Sequence, residues 1–273
     1  MAKPSPAELD PKRGSVQASG TVLSYLEWGS QGRHALLLHG ITSNARTWWR
    51  VGPRLLQAGF HVFAFDMPGH GYSGETADHN IESLATLIAN AGAALGMQRM
   101  LLVGHSWGGA VALAMAARAA EIGLERVILI DPALRLTAES GKTRIPVFTK
   151  GIGSSANTLS PGIAAANPDW HEQDVHWKAE AVQQCRMEAV VGFFTKSGDW
   201  DYTPKLAQVK VPLLLLIADP AGTIIDPDTR TAAESNLPAS ARLQVVRGTT
   251  HNMYRGAGYE PTLAAIAGWL GGR

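Results

Sequence analysis

The sequence is poor in cysteine and has no long apolar run. Its single cysteine, Cys185, can form neither an internal disulfide nor a cysteine-based zinc cluster, and it is compatible with a reducing cytoplasm. No apolar run reaches the roughly 18 residues that a membrane-spanning helix needs. The first residues also lack the apolar centre of a secretory signal. We therefore expect a cytoplasmic protein that makes no contact with a membrane.

An excess of either charge is also missing. The 24 Lys and Arg residues nearly balance the 23 Asp and Glu residues, which leaves a formal net charge of +1. Because no run of five basic residues occurs, nucleic acid is not an expected partner. The hydrophobic fraction of 45% and the charged fraction of 17% are those of a globular protein. The composition leaves open whether the chain forms a homodimer.

Short apolar runs alternate with helical patterns through most of the chain. This alternation predicts an α/β fold with a mostly parallel, doubly wound sheet. The first 13 residues, rich in proline and charge, are expected to form a loose arm. The predicted strands are residues 21–28, 35–38, 61–65, 100–103, 127–130, 211–218 and 243–246. Ligands of such sheets bind where the strands end, and polar residues stand there: His39, Asp66, Ser106, Asp131, Asp219 and His251.

Residues 133–206 interrupt the alternation. This region has no clear buried strand, and a stretch from Trp177 to Phe194 has the pattern of one amphipathic helix. We interpret it as a helical cap inserted between core segments 1–132 and 207–273. Trp177 and Phe193 are candidates to line an apolar pocket under the cap, although packing of the cap onto the sheet explains them equally well.

The most informative stretch is Gly104-His105-Ser106-Trp107-Gly108. This Gly-x-Ser-x-Gly motif lies between an apolar strand pattern and a helix of small residues. Such a sharp turn lifts a serine hydroxyl out of the backbone, and its glycines leave room for the strained geometry. The pattern indicates a nucleophilic serine. A nucleophilic serine needs a base, and His251, just after the last predicted strand, is the best candidate.

These pieces together resemble the α/β-hydrolase superfamily, in the branch that carries an inserted cap. The matching pieces are His39-Gly40, the loop 65–73, the serine turn and the late His251, and they span nearly the whole chain outside the cap. The resemblance implies an oxyanion hole made by the backbone N–H groups of Ile41 and Trp107. It also implies that His39 shapes the oxyanion loop beside the substrate pocket.

The acid that orients His251 is where the sequence departs from the family pattern. In the family that the sequence resembles, this acid most often follows the strand that corresponds to residues 211–218, and two apolar residues come directly after the acid. If Ile224-Ile225 is that apolar pair, Thr223 or Gly222 stands where the acid should be. Other members carry the acid one strand earlier, at the place of Asp131. Asp131 is therefore favoured, with Asp219 and then Asp226 as alternatives.

The resemblance implies a serine hydrolase, esterase-like or lactonase-like, that needs neither metal nor organic cofactor. Its expected substrate is a small-molecule carboxylic ester or lactone, and the early acid resembles that of lactonases acting on a macrocyclic resorcylic lactone. Hydrolysis of C–C or amide bonds and cofactor-free perhydrolysis use the same triad and stay open. A ligand receptor without turnover also stays open. Ser106 excludes the family's dehalogenases and epoxide hydrolases, which use aspartate at this turn.

Overall fold

A large, mostly parallel sheet forms the centre of the molecule. The computed structural model describes residues 10–272, and eight of the ten strands found there join in the order β1-β2-β4-β3-β5-β6-β9-β10. β1 and β2 form an antiparallel hairpin, β2 runs antiparallel to β4, and the remaining pairs are parallel. The strands are β1 (Lys12–Ala18), β2 (Thr21–Trp28), β3 (Arg33–Leu38), β4 (Phe60–Phe65), β5 (Met100–His105), β6 (Leu124–Ile130), β7 (Arg135–Leu136), β8 (Trp200–Asp201), β9 (Leu213–Ile217) and β10 (Ala241–Val245).

Helices cover both faces of this sheet. The helices are α1 (Val51–Gln57), α2 (Ile81–Ala94), α3 (Ser106–Ala116), α4 (Ala138–Thr149), α5 (Ala156–Ala166), α6 (Glu172–Gln184), α7 (Met187–Lys196), α8 (Pro227–Ser235) and α9 (Tyr259–Gly271). α2 and α3 pack in one apolar core, and α1 and α9 pack in the other. Strand side chains alternate between these cores, so that Leu36 and Leu38 lie in the first and Leu37 lies in the second. The predicted α/β class with a doubly wound sheet is confirmed.

The cap segment, residues 133–206, lies between β6 and β9. It contains helices α4 to α7 and a two-stranded sheet of β7 and β8. The prediction of a single helix from Trp177 to Phe194 is wrong, because α6 ends at Gln184 and a separate helix, α7, begins at Met187. The backbone is extended between them, where the Arg186 N–H donates to the Gly69 carbonyl at 3.0 Å.

The beginning of the chain also differs from the expectation. β1 starts at Lys12, so the end of the predicted loose arm is a strand paired with β2, and residues 1–9 lie outside the described part of the chain. Between residues 10 and 272, no helix is both long and apolar enough to cross a bilayer. Within the same residues, no group of three His, Cys, Asp or Glu side chains could hold a metal ion.

Candidate active site

Ser106 stands on a strained turn between β5 and α3. Its φ of +55° lies in the left-handed region, and its side chain is almost fully buried. A Cβ on Gly104 would collide with the backbone of Gly108 and with Ala112, and a Cβ on Gly108 would collide with the Leu38 carbonyl. Both glycines of the motif are therefore required, because the turn packs tightly against its own helix and against the end of β3.

Asp131 lies beside His251. Asp131 directly follows β6, has a φ of +40° and is fully buried. The Nδ1 atom of His251 donates to Asp131 Oδ2 at 2.7 Å. The same carboxylate accepts hydrogen bonds from the Ala218 N–H at 3.1 Å, the Ile224 N–H at 3.1 Å and the Thr223 hydroxyl at 2.5 Å. Four donors thus fix the carboxylate in one orientation, and Nε2 is left on the far side of the His251 ring.

Thr223 is one of the two residues, with Gly222, that stand where the resemblance places the acid more often. Its hydroxyl instead binds the carboxylate that comes from the neighbouring strand. The two alternative acids lie elsewhere. Asp219 lies half-buried at a turn and accepts the Gly248 N–H at 3.1 Å, and Asp226 caps α8 by accepting the Thr229 N–H at 2.8 Å. Neither carboxylate contacts His251.

His105 connects the serine turn to the loop of His251. Its Nε2 lies 2.9 Å from the His251 carbonyl, which can only accept, so Nε2 carries the proton. Its Nδ1 then accepts from the Tyr254 hydroxyl at 3.1 Å. Burial lowers the pKa of His105 well below the usual value, which keeps the ring neutral. His105 is a structural support for the site.

Ser106 and His251 line one cavity of about 100 Å³. No hydrogen bond joins the Ser106 hydroxyl to the His251 ring in the part of the chain that the structure describes. Ile41 lines the cavity as well, and its N–H has no acceptor among residues 10–272. The Trp107 N–H lies in the first turn of α3, where helical N–H groups have no intrahelical acceptor. The other lining residues are Gly40, Thr42, Ser43, His105, Phe148, Lys178, Asn252, Tyr254 and Arg255.

Two buried histidines hold the loop that carries Ile41. His39 donates from Nδ1 to the Gly40 carbonyl at 2.8 Å and accepts the Met67 N–H at Nε2 at 2.9 Å. His70 accepts the Thr42 N–H at 3.2 Å. Burial lowers the pKa of His39 to about 4 and the pKa of His70 to about 3, so both rings are neutral near pH 7. His39 is not among the residues that line the cavity beside Ser106.

The two cap aromatics also lie away from the cavity. The Arg46 guanidinium lies over the ring of Trp177, with 4.7 Å between its central carbon and the ring centroid. Phe193 is buried against the rings of Trp107 and Trp200, with centroids 5.2 and 5.3 Å away. Neither ring lines the cavity beside Ser106, and their contacts fit the alternative role of packing the cap segment onto the core. The aromatic cap residue that does line the cavity is Phe148.

Sequence reasoning missed two cations in the cavity. Lys178, from α6, donates to the Thr42 carbonyl at 2.7 Å and to the Thr42 hydroxyl at 2.9 Å. Arg255 is 4% exposed, donates to the Thr47 hydroxyl and stacks on Trp170 at 4.6 Å. Burial, followed by the nearby Arg255, lowers the pKa of Lys178 to about 7. A lone lysine within a helix gives no signal of this kind, although Arg255 follows His251 by only four residues.

Known proteins share this architecture. The model of the Alpha/beta hydrolase family matches residues 35–262. N-formylmaleamate deformylase of Pseudomonas putida is 31% identical over 215 residues, which cover 77% of this chain and 80% of that protein. A non-heme haloperoxidase of Rhodococcus erythropolis is 26% identical over 260 residues, which cover 86% of this chain and 91% of that protein.

A solved structure shows the same fold at lower sequence similarity. E-2-(acetamidomethylene)succinate hydrolase superposes with a TM-score of 0.84 at 21% identity, and the match covers 96% of this chain and 100% of that chain. The family match extends over most of the sequence, from β3 to α9, and includes the serine turn, Asp131 and His251. The chain is therefore a hydrolase of the α/β hydrolase family.

Proposed function

We propose that the chain is a serine hydrolase with Ser106 as nucleophile, His251 as general base and Asp131 as the acid that orients it. One observation carries the proposal: the ring of His251, held at Nδ1 by the buried Asp131, lines the same small cavity as Ser106. This is the arrangement that activates a serine hydroxyl. The cap segment, residues 133–206, covers the cavity in this proposal.

The reaction has two halves. His251 takes the proton of Ser106 as its oxygen attacks the substrate carbonyl, and the tetrahedral oxyanion accepts hydrogen bonds from the N–H groups of Ile41 and Trp107. The leaving alcohol departs with the proton from His251, which leaves an acyl-enzyme. A water molecule, deprotonated by His251, then attacks the acyl group and releases the acid and free Ser106.

The proposed substrate is a carboxylic ester or a lactone. Support for its size comes from the cavity, whose volume of about 100 Å³ suits a short acyl group better than a bulky one. A second candidate is the hydrolysis of an amide C–N bond. The observation that favours it is the 31% identity with a protein named as a deformylase.

The test is a series of p-nitrophenyl esters from acetate to decanoate, with wild type beside Ser106→Ala. We expect turnover that is highest for the short esters and that is lost in Ser106→Ala. Ser160→Ala, in the cap helix α5, is the control and should retain wild-type activity. Turnover that survives in Ser106→Ala would refute the proposal. Formate release from N-formylmaleamate without ester cleavage would replace the first candidate with the second.

A further inference from the structure

The cavity beside Ser106 contains two positively charged side chains from different parts of the fold. Lys178 belongs to the cap helix α6, and Arg255 follows the His251 loop. Both residues line the same cavity as Ser106. A substrate that is attacked by Ser106 would therefore lie within reach of both charges.

Neither charge is paired. Within residues 10–272, no carboxylate lies within 4.0 Å of the Lys178 ammonium or the Arg255 guanidinium. The buried carboxylate of Asp174 pairs with other donors. It accepts from Arg50 Nη2 at 2.6 Å and from the Trp49 indole N–H at 2.9 Å. Because a buried charge is expensive unless it is paired, the unpaired guanidinium of the buried Arg255, with the half-buried Lys178 in the same cavity, indicates a missing anion.

Hydrogen-bond donors are also left over. Lys178 uses two of its three donors on Thr42. Arg255 uses only Nη2, toward Thr47 and Ser43, and its Nε is buried with no acceptor among the described residues. Burial and then the nearby Arg255 lower the pKa of Lys178 to about 7, so the side chain is only partly protonated at pH 7. A bound anion would offset the repulsion from Arg255 and favour the charged form of Lys178.

We propose that the substrate carries a carboxylate, and that Lys178 and Arg255 bind this group while Ser106 attacks an acyl carbonyl of the same molecule. The inference rests on the proposed function and narrows its substrate to small acyl compounds that also bear a free carboxylate. A guanidinium and an ammonium both suit this group, because charge-assisted hydrogen bonds to a carboxylate are short and strong.

Selectivity is measured with two esters of matched shape. Monomethyl succinate has a carboxylate where methyl 4-methylpentanoate has an isosteric, uncharged isopropyl group. We expect kcat/KM to be at least about 10-fold higher for the charged ester, as a charge-assisted contact predicts. Lys178→Met and Arg255→Gln should each reduce this ratio about 10-fold, whereas Lys210→Met and Arg242→Gln remove the same charges from the exterior and should preserve it.

Binding gives a readout that does not need turnover. Calorimetry with Ser106→Ala should detect succinate and should show succinamide, its neutral analogue, binding at least about 10-fold more weakly. Adding Arg255→Gln or Lys178→Met to this variant should remove the preference. A failure of the proposed function would abolish ester cleavage but leave this binding preference, so that the two failures are distinguishable.

Three results would overturn the inference. The first is equal binding of succinate and succinamide, and the second is a selectivity ratio that is the same in the wild type, Lys178→Met and Arg255→Gln. The third is succinate acting only as an inhibitor of neutral esters, with no preference for monomethyl succinate, because the cations would then bind a free anion and not the substrate. If Arg255→Gln fails to fold, Lys178→Met decides the question alone.

Discussion

The core and the cap segment contribute to the cavity in different ways. The core supplies Ser106 and Asp131 from the ends of adjacent buried strands, each on a backbone with positive φ. The cap supplies Lys178 and Phe148 as side chains on helix surfaces. In the two proposals, the reacting residues thus lie at positions that the sheet determines. Of the two cations proposed to bind the substrate, Arg255 belongs to the core, and Lys178 lies at a position that depends on how a helix packs over it.

Burial also differs between the core helix α3 and the first two helices of the cap segment, α4 and α5. Every residue of α3 is buried, whereas α5 has no buried residue and α4 buries only Gly141. Segments with few buried contacts open at a lower free-energy cost than the core does. A substitution in α3 should therefore change catalysis or folding strongly, and a similar substitution in α4 or α5 should be tolerated.

The largest difference is expected between two aspartates. Asp131→Asn should lower kcat by about 10⁴-fold, because the amide no longer holds the His251 ring in the productive tautomer. Asp219→Asn should stay within about 3-fold of wild type, because the Asp219 carboxylate accepts the Gly248 N–H and does not contact His251. Steady-state kinetics on the best p-nitrophenyl ester measures both. The reverse ranking of the two variants would refute the assignment of Asp131.

Acid should destabilise the core through its neutral histidines. The pKa values of His39, about 4, and His70, about 3, lie below the usual 6.5, so the unfolded chain binds protons that the folded chain does not. The free energy of unfolding should therefore fall as the pH drops from 6.5 toward 4, by about 1.4 kcal/mol per pH unit for each histidine. Urea unfolding at several pH values measures this slope.

Two variants make the pH experiment specific. His70→Gln retains an acceptor for the Thr42 N–H but cannot take up the proton, so its slope should be shallower by about one proton. His176→Gln, which changes an exposed histidine of the cap, should keep the wild-type slope. Identical slopes for wild type and His70→Gln would show that this histidine does not contribute.

A methyl group added to the serine turn should destabilise the fold. Gly108→Ala places a Cβ against the Leu38 and His39 carbonyl oxygens, which are backbone atoms and cannot move away cheaply. Overpacking of this kind costs about 1–3 kcal/mol. We expect a lower Tm in thermal unfolding together with a loss of ester turnover. An unchanged Tm would show that the turn is less tightly packed than described.

The smallest effect is expected for the same substitution in the cap. Gly162 lies within α5, and a Cβ there would meet no atom within 4 Å. Gly162→Ala should therefore raise stability by about 0.4–1 kcal/mol, because alanine restricts the unfolded chain and favours the helix. The Tm should rise slightly and kcat/KM should not change. A fall in Tm would mean that α5 packs against something outside the described contacts.

The sequence predicted the core well because its signals are local. β2 occupies the predicted range 21–28, and the glycines of the serine turn are required by contacts within one strand-turn-helix unit. The resemblance favours Asp131, because other members of the family carry the acid after that strand, and the structure brings Asp131 to His251. β1 was missed because its polar residues give no apolar pattern.

The cap could not be predicted to the same depth. The break after Gln184 is associated with a hydrogen bond to Gly69, a residue far away in the sequence. Phe193 packs on Trp107, which is likewise far from it in the sequence, and Phe193 does not line the cavity. Lys178 reaches it only because α6 lies over the loop that contains Thr42. Such long-range packing has no signature in a single sequence.

The most direct test of the central claim is to locate the reactive serine. A fluorophosphonate probe should add once to the folded wild-type protein, and peptide mass mapping should place the adduct on Ser106. Labelling should be lost in Ser106→Ala and should be much slower in Asp131→Asn, with Asp219→Asn close to wild type. An adduct on a different residue, or no adduct on the folded wild-type protein, would contradict the assignment of Ser106, His251 and Asp131 as a catalytic unit.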